Sequence, residues 1–286
     1  MLNLSEVVKG QFRQAMQAAG IAYSGEIIPD GQLHRFHIEG HKKGSLNGAY
    51  KLHIDNRPAG YFQDFTSGIS HKWRSSGNSY VSTDVIKRIK EANHQREIEA
   101  RQKQEEAAKK AAEIWQKSKP VNNQADHPYL VKKAVQPYGA RLYGNALVIS
   151  IYNEDDRLVN LQFINPEGSK RFLKDGRKHG CFYIIGDLSP RVLIAEGFAT
   201  GASLFKSCGQ RIVVAFDAGN LLPVAKNIRE LSPDSEIIIC GDNDLSGIGQ
   251  AKAREAAIAI RGKVLIPPRP GMDWNDYLTM EKKIND

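Results

Sequence analysis

Between residues 191 and 266 the chain alternates apolar runs with helix-forming stretches: RVLIAEG, FATGASLFKSC, RIVVAFDAG, LLPVAKNIREL, EIIICGDND, GIGQAKAREAAIAI and GKVLIPP. Short β-branched runs such as Val192 to Ala195, Ile212 to Ala215 and Ile237 to Cys240 predict strands buried on both faces. Strand–helix alternation of this kind folds as a parallel α/β sheet flanked by helices. In such sheets, sites form beyond the carboxyl ends of the strands. Here that edge is acidic. Glu196 ends the first strand and Asp242 and Asp244 follow the third, while Asp273 and Asp276 lie just beyond the last one in MDWNDYL. Around an extended or tightly turning backbone, the side chains of Asp242 and Asp244 can converge on one hard cation such as Mg²⁺, which keeps several of its waters and takes oxygen ligands. A turn-forming role explains Asp-Asn-Asp-Leu-Ser-Gly equally well alone. It does not explain Glu196 or the two later aspartates. Asp217 in AFDAGN is a further strand-end carboxylate, for which capping or turn formation is the first reading and catalysis the alternative.

The 286 residues suggest about two domains on a prior of roughly 150 residues each. The division expected here is finer: a small α+β domain over 1–82, a charged linker helix over 83–120, a basic α+β subdomain over 121–188 and the α/β domain over 189–286. The first opens with an amphipathic helix, in which Val8, Phe12, Ala15, Met16 and Ala19 recur at three- and four-residue spacing before Gly20. HRFHIEG, YKLHID and AGYFQDF then predict a small antiparallel sheet. Phe36, Tyr50, Tyr61, Phe62, Phe65 and Trp73 interleave there with Arg35, Lys42, Lys43, Lys51, Lys72 and Arg74. Such a mixture is able to stack bases and grip phosphates, or the aromatics form the core of the domain. Five of the eight histidines lie in this unit, at 34, 37, 41, 53 and 71. His34 and His37 point to opposite faces of a strand and no cysteine assists them, which argues against a metal site.

The stretch from Asp84 to about residue 118 is rich in Ala, Glu, Lys, Gln and Arg and predicts a long solvated helix. After Pro120, HPYLVKKAV predicts a short helix, and NALVISIYN, RLVNLQFIN, KRFLKD and CFYIIG predict strands. The run GSKRFLKDGRKHG puts Lys170, Arg171, Lys174, Arg177 and Lys178 just before the acidic block. A formal charge of +8 favours a polyanionic partner. Three widely spaced cysteines without a CxxC pair encode neither a disulfide framework nor a zinc ribbon, and are expected to be reduced core thiols. No membrane span or secretory leader is expected, and the expected location is cytoplasmic.

LIAEGFATG, CGDNDLSG and PPRPGMDWNDYL together resemble the Toprim domain of DnaG-type DNA primases, and more narrowly the Toprim primases of plasmids, integrative elements and satellite phages. The segment from HPYL to HGCFYIIG is similar to the basic subdomain that precedes Toprim in those proteins. GYFQDFTSGISHKW resembles them more weakly. The resemblance implies a Rossmann-like Toprim core and synthesis of short primers, RNA primers by expectation, on single-stranded DNA. It implies Glu196, Asp242 and Asp244 as catalytic and metal-binding residues, with Asp273 as a further ligand and Asp276 in the same acidic region. Lys170, Arg171 and Lys174 match the strand that contacts nucleotide or template, and Lys132 and Arg177 join them as candidates. The implied cofactor is Mg²⁺ or Mn²⁺. The implied partners are single-stranded DNA, nucleoside triphosphates and a replicative helicase or element-encoded replication protein. The chain departs from the family in lacking a cysteine-rich zinc module and a Walker-type GxxxxGK[ST]. The rival readings are a Toprim nuclease and a non-catalytic single-stranded-DNA-binding accessory factor.

Overall fold

The computed structural model describes residues 4–54, 57–75 and 83–285. The chain forms two compact units, residues 1–99 and 100–286. In the first, α1 (Leu4–Ala18) is followed by the antiparallel strands β1 (His34–Phe36), β2 (Gly48–His53), β3 (Ala59–Asp64) and β4 (Ser70–Arg74), in spatial order β1-β2-β3-β4. The apolar stripe of α1 covers one face of this sheet. Val8, Phe12 and Met16 pack with Phe36, Tyr50, Leu52 and Phe62. Gly60 is where the Phe12 ring meets the sheet, since a Cβ there would lie 2.5 Å from it. Three of the aromatics considered as base stackers are therefore core residues: Phe36, Tyr50 and Phe62 are at most 3% exposed. Trp73 stands edge-on to Phe12, and Phe65 lies under the Arg35 guanidinium at 4.2 Å. His34 pairs with Asp30, His37 with Ser45, and His41 lies 3.9 Å from Asp64.

The long helix α2 (Thr83–Lys117) runs from the first unit into the second. The expected boundary at residue 82 falls outside the described residues. The second half of α2 is not the solvated linker its composition suggests. Ala107, Ala108 and Ala111 are buried, and Ala111, Ile114 and Trp115 join a cluster with Val148, Leu161 and Phe163. Small residues at this spacing let the helix approach a sheet closely, so a charge-rich average conceals a packed stripe.

The second unit contains an antiparallel sheet of β5 (Lys119–Pro120), β6 (Arg141–Tyr143), β7 (Ala146–Tyr152), β8 (Leu158–Ile164) and β9 (Lys170–Phe172), with α3 (Pro128–Lys133) between β5 and β6. β10 (Tyr183–Ile185) follows, then β11 (Arg191–Ala195), α4 (Phe198–Cys208), β12 (Arg211–Val214), α5 (Leu221–Leu231), β13 (Glu236–Cys240), α6 (Ile248–Ala259), β14 (Lys263–Leu265) and α7 (Trp274–Asn285). The second sheet has the order β10-β12-β11-β13-β14. β11 to β14 pair in parallel, as strand–helix alternation requires. β10 is an antiparallel edge strand of this sheet, so the sheet is mixed. One continuous core joins the two sheets, running from Leu147, Ile149 and Ile164 to Leu193, Ala195 and Val214. Cys181 and Cys240 are buried thiols; Cys208 is exposed at the end of α4 and is not a core residue.

Candidate active site

The sheet order puts β12 on one side of β11 and β13 on the other, so the chain reverses direction across the sheet at β11. That is the switch point where an open α/β sheet leaves a crevice. Ala195 pairs in register with Val214 and Cys240, which brings the three following segments to a common edge. Gly197 opens α4 directly after Glu196. Gly201 lets that helix lie against β12, because a Cβ there would meet Val214 at 2.9 Å and Ile212 at 3.1 Å.

Glu196 is pushed up from the ordinary carboxylate range by burial and then by the negative charges of Asp217 and Asp244, against the backbone N–H of Ala218 and the ammonium of Lys170. Asp242 is pushed up to about 7, first by burial and then by Glu196 and Asp273. Its buried Oδ1 has no hydrogen-bond partner among the described residues. Such an atom costs free energy unless something else satisfies it.

Asp244 behaves differently. Its carboxylate accepts from the Ser246 hydroxyl, from the Ser246 N–H at 2.9 Å and from the Gly249 N–H at 2.6 Å. Those bonds hold it below the usual range, with the Ser246 hydroxyl the largest influence. It therefore folds the DLSG turn and seats the first turn of α6. A Cβ at Gly249 would come within 2.6 Å of Asp244 Oδ2, so the close approach needs glycine.

Asn243, between the two aspartates, was not singled out from the sequence. Its N–H donates to Met272 O at 3.0 Å and its O accepts from Gly271 N–H at 2.6 Å. Its side chain donates to Pro267 O at 2.7 Å and accepts from Gln250 at 2.7 Å. The first three of these bonds fasten the 267–272 loop to the end of β13, and the fourth ties that end to α6. Asp273 follows that loop and caps α7, accepting from the Asp276 N–H at 2.8 Å. Buried Asn275 bonds Lys133 O and Ser203 Oγ, both at 2.7 Å, and so ties α7 to α3 and α4.

Of the basic candidates, Lys170 belongs to this edge. Much of its stem is exposed, but its Nζ lies 3.7 Å from where a Cβ on Gly197 would sit. Crowding by protein atoms, and then Lys133, lower its pKa, while Asp273, Asp242 and Glu196 act in the opposite direction. Lys133, rather than exposed Lys132, faces the acids: its Nζ is 3.8 Å from Asp273 and 3.1 Å from Asp276. Arg171 is exposed near the Phe163 ring, and Lys174 is exposed in the following turn. Arg177 holds Glu154 with two bonds of 2.9 and 2.8 Å. Asp217 caps a 3-10 turn through Asn220 N–H at 3.0 Å and pairs with Lys178. Buried Asn220 bonds the backbone of Lys178, Gly180, Cys181 and Ala215, fixing the basic loop against the sheet.

No set of three acidic, histidine or cysteine side chains among the described residues converges closely enough to hold an ion unaided. The donor chemistry nevertheless fits a hard divalent cation. Asp242 offers an unsatisfied carboxylate oxygen, and Glu196 is a second carboxylate whose charge is poorly compensated. A cation that retains waters needs only one or two protein carboxylates.

Residues 191–283 match the family described as a Toprim domain. The chain is 32% identical, over 96% of its length, to a DNA primase TraC of Escherichia coli, of which it covers 29%. It is 33% identical, over 90% of its length, to a second Escherichia coli DNA primase TraC, of which it covers 19%. It thus spans less than a third of these curated relatives. Among solved structures, the DnaG catalytic core is similar over 65% of this chain and 78% of that one, at 14% identity and a TM-score of 0.42. The residues that match the Toprim domain, 191–283, are the ones that carry Glu196, Asp242, Asp244 and Asp273 along the acidic edge.

Proposed function

We propose that the chain is a DNA primase that copies single-stranded DNA into short primers from nucleoside triphosphates, in the service of a mobile element's replication. The observation that carries this reading is the buried Asp242 carboxylate, with its unsatisfied oxygen, beside Glu196 and Lys170 at the switch point of a Toprim sheet. In this reading Glu196 and Asp242, with Asp273 nearby, hold Mg²⁺ or Mn²⁺, and Asp244 keeps the loop in place and adds charge. When bound, the cation supplies electrostatic stabilisation of phosphate charge.

The reaction joins the 3′-hydroxyl oxygen of one nucleotide to the α-phosphorus of another, and the bond to pyrophosphate breaks. Glu196, whose affinity for a proton is raised, is suited to take up the hydroxyl proton. Lys170 and Lys133 face the same edge and offset the charge of the triphosphate, while Arg171 and Lys174 extend the cationic strand and turn toward the template. Lys132 and Arg177 remain outer contacts. Asp276 pairs with Lys133, and Asp217 caps a turn and adds negative charge beside Glu196. Residues 1–82 take part in template engagement, residues 83–120 connect them to the core, and residues 121–188 and 189–286 form the catalytic unit. A replicative helicase or element-encoded replication protein is the proposed partner, and the cytoplasm the proposed location. No helix among the described residues is long and apolar enough to cross a membrane.

The test is incubation with single-stranded DNA, Mg²⁺ or Mn²⁺ and labelled nucleotides, beside an Asp242→Ala/Asp244→Ala variant. Short labelled products from the wild type alone are expected. Products from the variant would remove the site; degradation of DNA without nucleotides would point to a nuclease.

A further inference from the structure

The N-terminal sheet has a second face that α1 does not cover. Strand alternation and register decide which side chains stand on it. Lys51 pairs with Tyr61 and Tyr61 with Lys72, so these three form one row across β2, β3 and β4. His53 pairs with Ala59 and Ala59 with Arg74, which forms the next row. Lys51, Lys72 and Arg74 are exposed, and Tyr61 is half-buried with its hydroxyl donating to Gln63 at 2.5 Å. The small Ala59 between His53 and Arg74 leaves an open groove of about 710 Å³, lined by both rows.

Two observations separate this face from an ordinary solvated one. None of its outward strand positions is acidic, although Asp64 sits on the inward side of the same sheet, held by Ser67 and Thr66. Among the described residues, Lys51, Lys72 and Arg74 form no ion pair, whereas Arg96, Lys133, Arg157, Arg177, Lys178 and Arg191 each hold an acid. Unpaired cations in a groove with an aromatic ring between them suit a flexible polyanion that carries stackable bases. Single-stranded nucleic acid has both properties; duplex DNA hides its base faces.

We propose that this face is a second nucleic-acid site, which grips the backbone of single-stranded DNA with Lys51, Lys72 and Arg74 and stacks a base on Tyr61. The proposal rests on the reading of the chain as an enzyme acting on single-stranded DNA, and adds a template-holding surface to the one that Arg171 and Lys174 offer beside the acidic edge.

The experiment is fluorescence anisotropy of a labelled dT oligonucleotide with the full chain across a salt series, followed by primer synthesis with the same proteins. Lys51→Gln/Lys72→Gln/Arg74→Gln is expected to weaken binding at least tenfold and to lower the slope of log K against log salt by about 2, from roughly 0.7 per lost phosphate contact. Tyr61→Ala is expected to weaken binding roughly tenfold with the slope unchanged, and Tyr61→Phe to restore it. Lys103→Gln/Lys109→Gln/Lys110→Gln, on the exposed side of α2, removes the same charge and is expected to change little. Wild-type binding by the sheet variants, an equal loss in the α2 control, or tighter binding of duplex DNA or RNA through this face would overturn the proposal. Primer synthesis with unchanged binding in the sheet variants would sink the proposal alone. Face-dependent binding by a wild type that makes no primers would sink the primase reading and leave the face standing.

Discussion

Two of the three sheets among the described residues, the N-terminal antiparallel sheet and the mixed sheet of the Toprim domain, carry their charged side chains in different places. The N-terminal sheet has one face sealed by α1 and one open, so its alternating side chains present Lys51, Tyr61 and Lys72 broadside. The Toprim sheet is packed on both faces, by α4 with the neighbouring sheet and by α5 and α6, so only strand ends are left for function. Glu196 and Asp242 occupy those ends. The open face is solvated and its cations cost little to keep; the strand ends are crowded, and their carboxylates hold protons more tightly than in water. Charge is tolerated at the first site and stored unfavourably at the second, where a cation would relieve it.

The largest expected effect that sharpens this contrast is at Glu196. Glu196→Gln keeps shape and removes the charge, and should slow primer synthesis by about 10²–10⁴-fold with little change in binding of single-stranded DNA. Comparable losses in both would place template contacts at the acidic edge and dissolve the distinction.

Next is Asn243. It touches no substrate but fixes the 267–272 loop through three hydrogen bonds, to Pro267, Gly271 and Met272, and accepts a fourth from Gln250 in α6. Asn243→Ala should lower kcat by roughly 10–100-fold through misplacement of Asp273. Each of the two lost side-chain bonds, to Pro267 and Gln250, should also cost about 1 kcal/mol, seen as a lower Tm. An unchanged kcat with a lowered Tm would leave Asn243 a structural residue only.

The adjacent lysines provide a smaller, internally controlled comparison. Lys133→Gln should raise the KM for nucleotide about tenfold, while Lys132→Gln leaves it nearly unchanged, because only Lys133 lies against Asp273 and Asp276. Equal effects would mean that the pair acts as diffuse charge.

The pH dependence of stability is the mildest probe. Asp242 rises from 3.8 unfolded to about 7 folded, so the unfolded chain releases a proton that the folded one keeps as pH climbs between those values. Its contribution therefore becomes steadily less favourable from about pH 4 to about pH 7 and levels off above. Asp242→Asn, free of that penalty, should melt above the metal-free wild type by a margin that grows over the same window to roughly 10 °C. A constant margin would contradict the burial argument.

Much of the Toprim sheet was legible because its strands are nearly pure apolar runs and its helices have clear spacing. Glu196 and Asp242 were legible for the same reason: each closely follows a buried apolar strand at the edge of a parallel sheet, where sites form. What was hidden depends on contacts far apart in the chain. The Asn275 bond to Ser203 spans 72 residues and the Asn220 bonds reach back to Lys178, and no local pattern announces either. β10 was read with the preceding strands because nothing in CFYIIG reveals that it pairs with β12. The unlike roles of Asp242 and Asp244 were also hidden, since an identical residue type can orient a turn or face a crevice. Lys133 could have been found: it lies three and four residues from buried Leu130 and Tyr129, hence on the packed face of α3, and Lys132 drew attention away from it.

The most direct test of the central claim, that the strand-end carboxylates form a cation-dependent catalytic site, is a Mn²⁺ titration followed by electron paramagnetic resonance on wild type, Asp242→Asn and Lys132→Gln. Saturable Mn²⁺ binding is expected in wild type and Lys132→Gln, accompanied by a rise in Tm, with loss of both in Asp242→Asn. Mn²⁺ binding of equal strength in Asp242→Asn would contradict that claim and place the cation elsewhere in the chain.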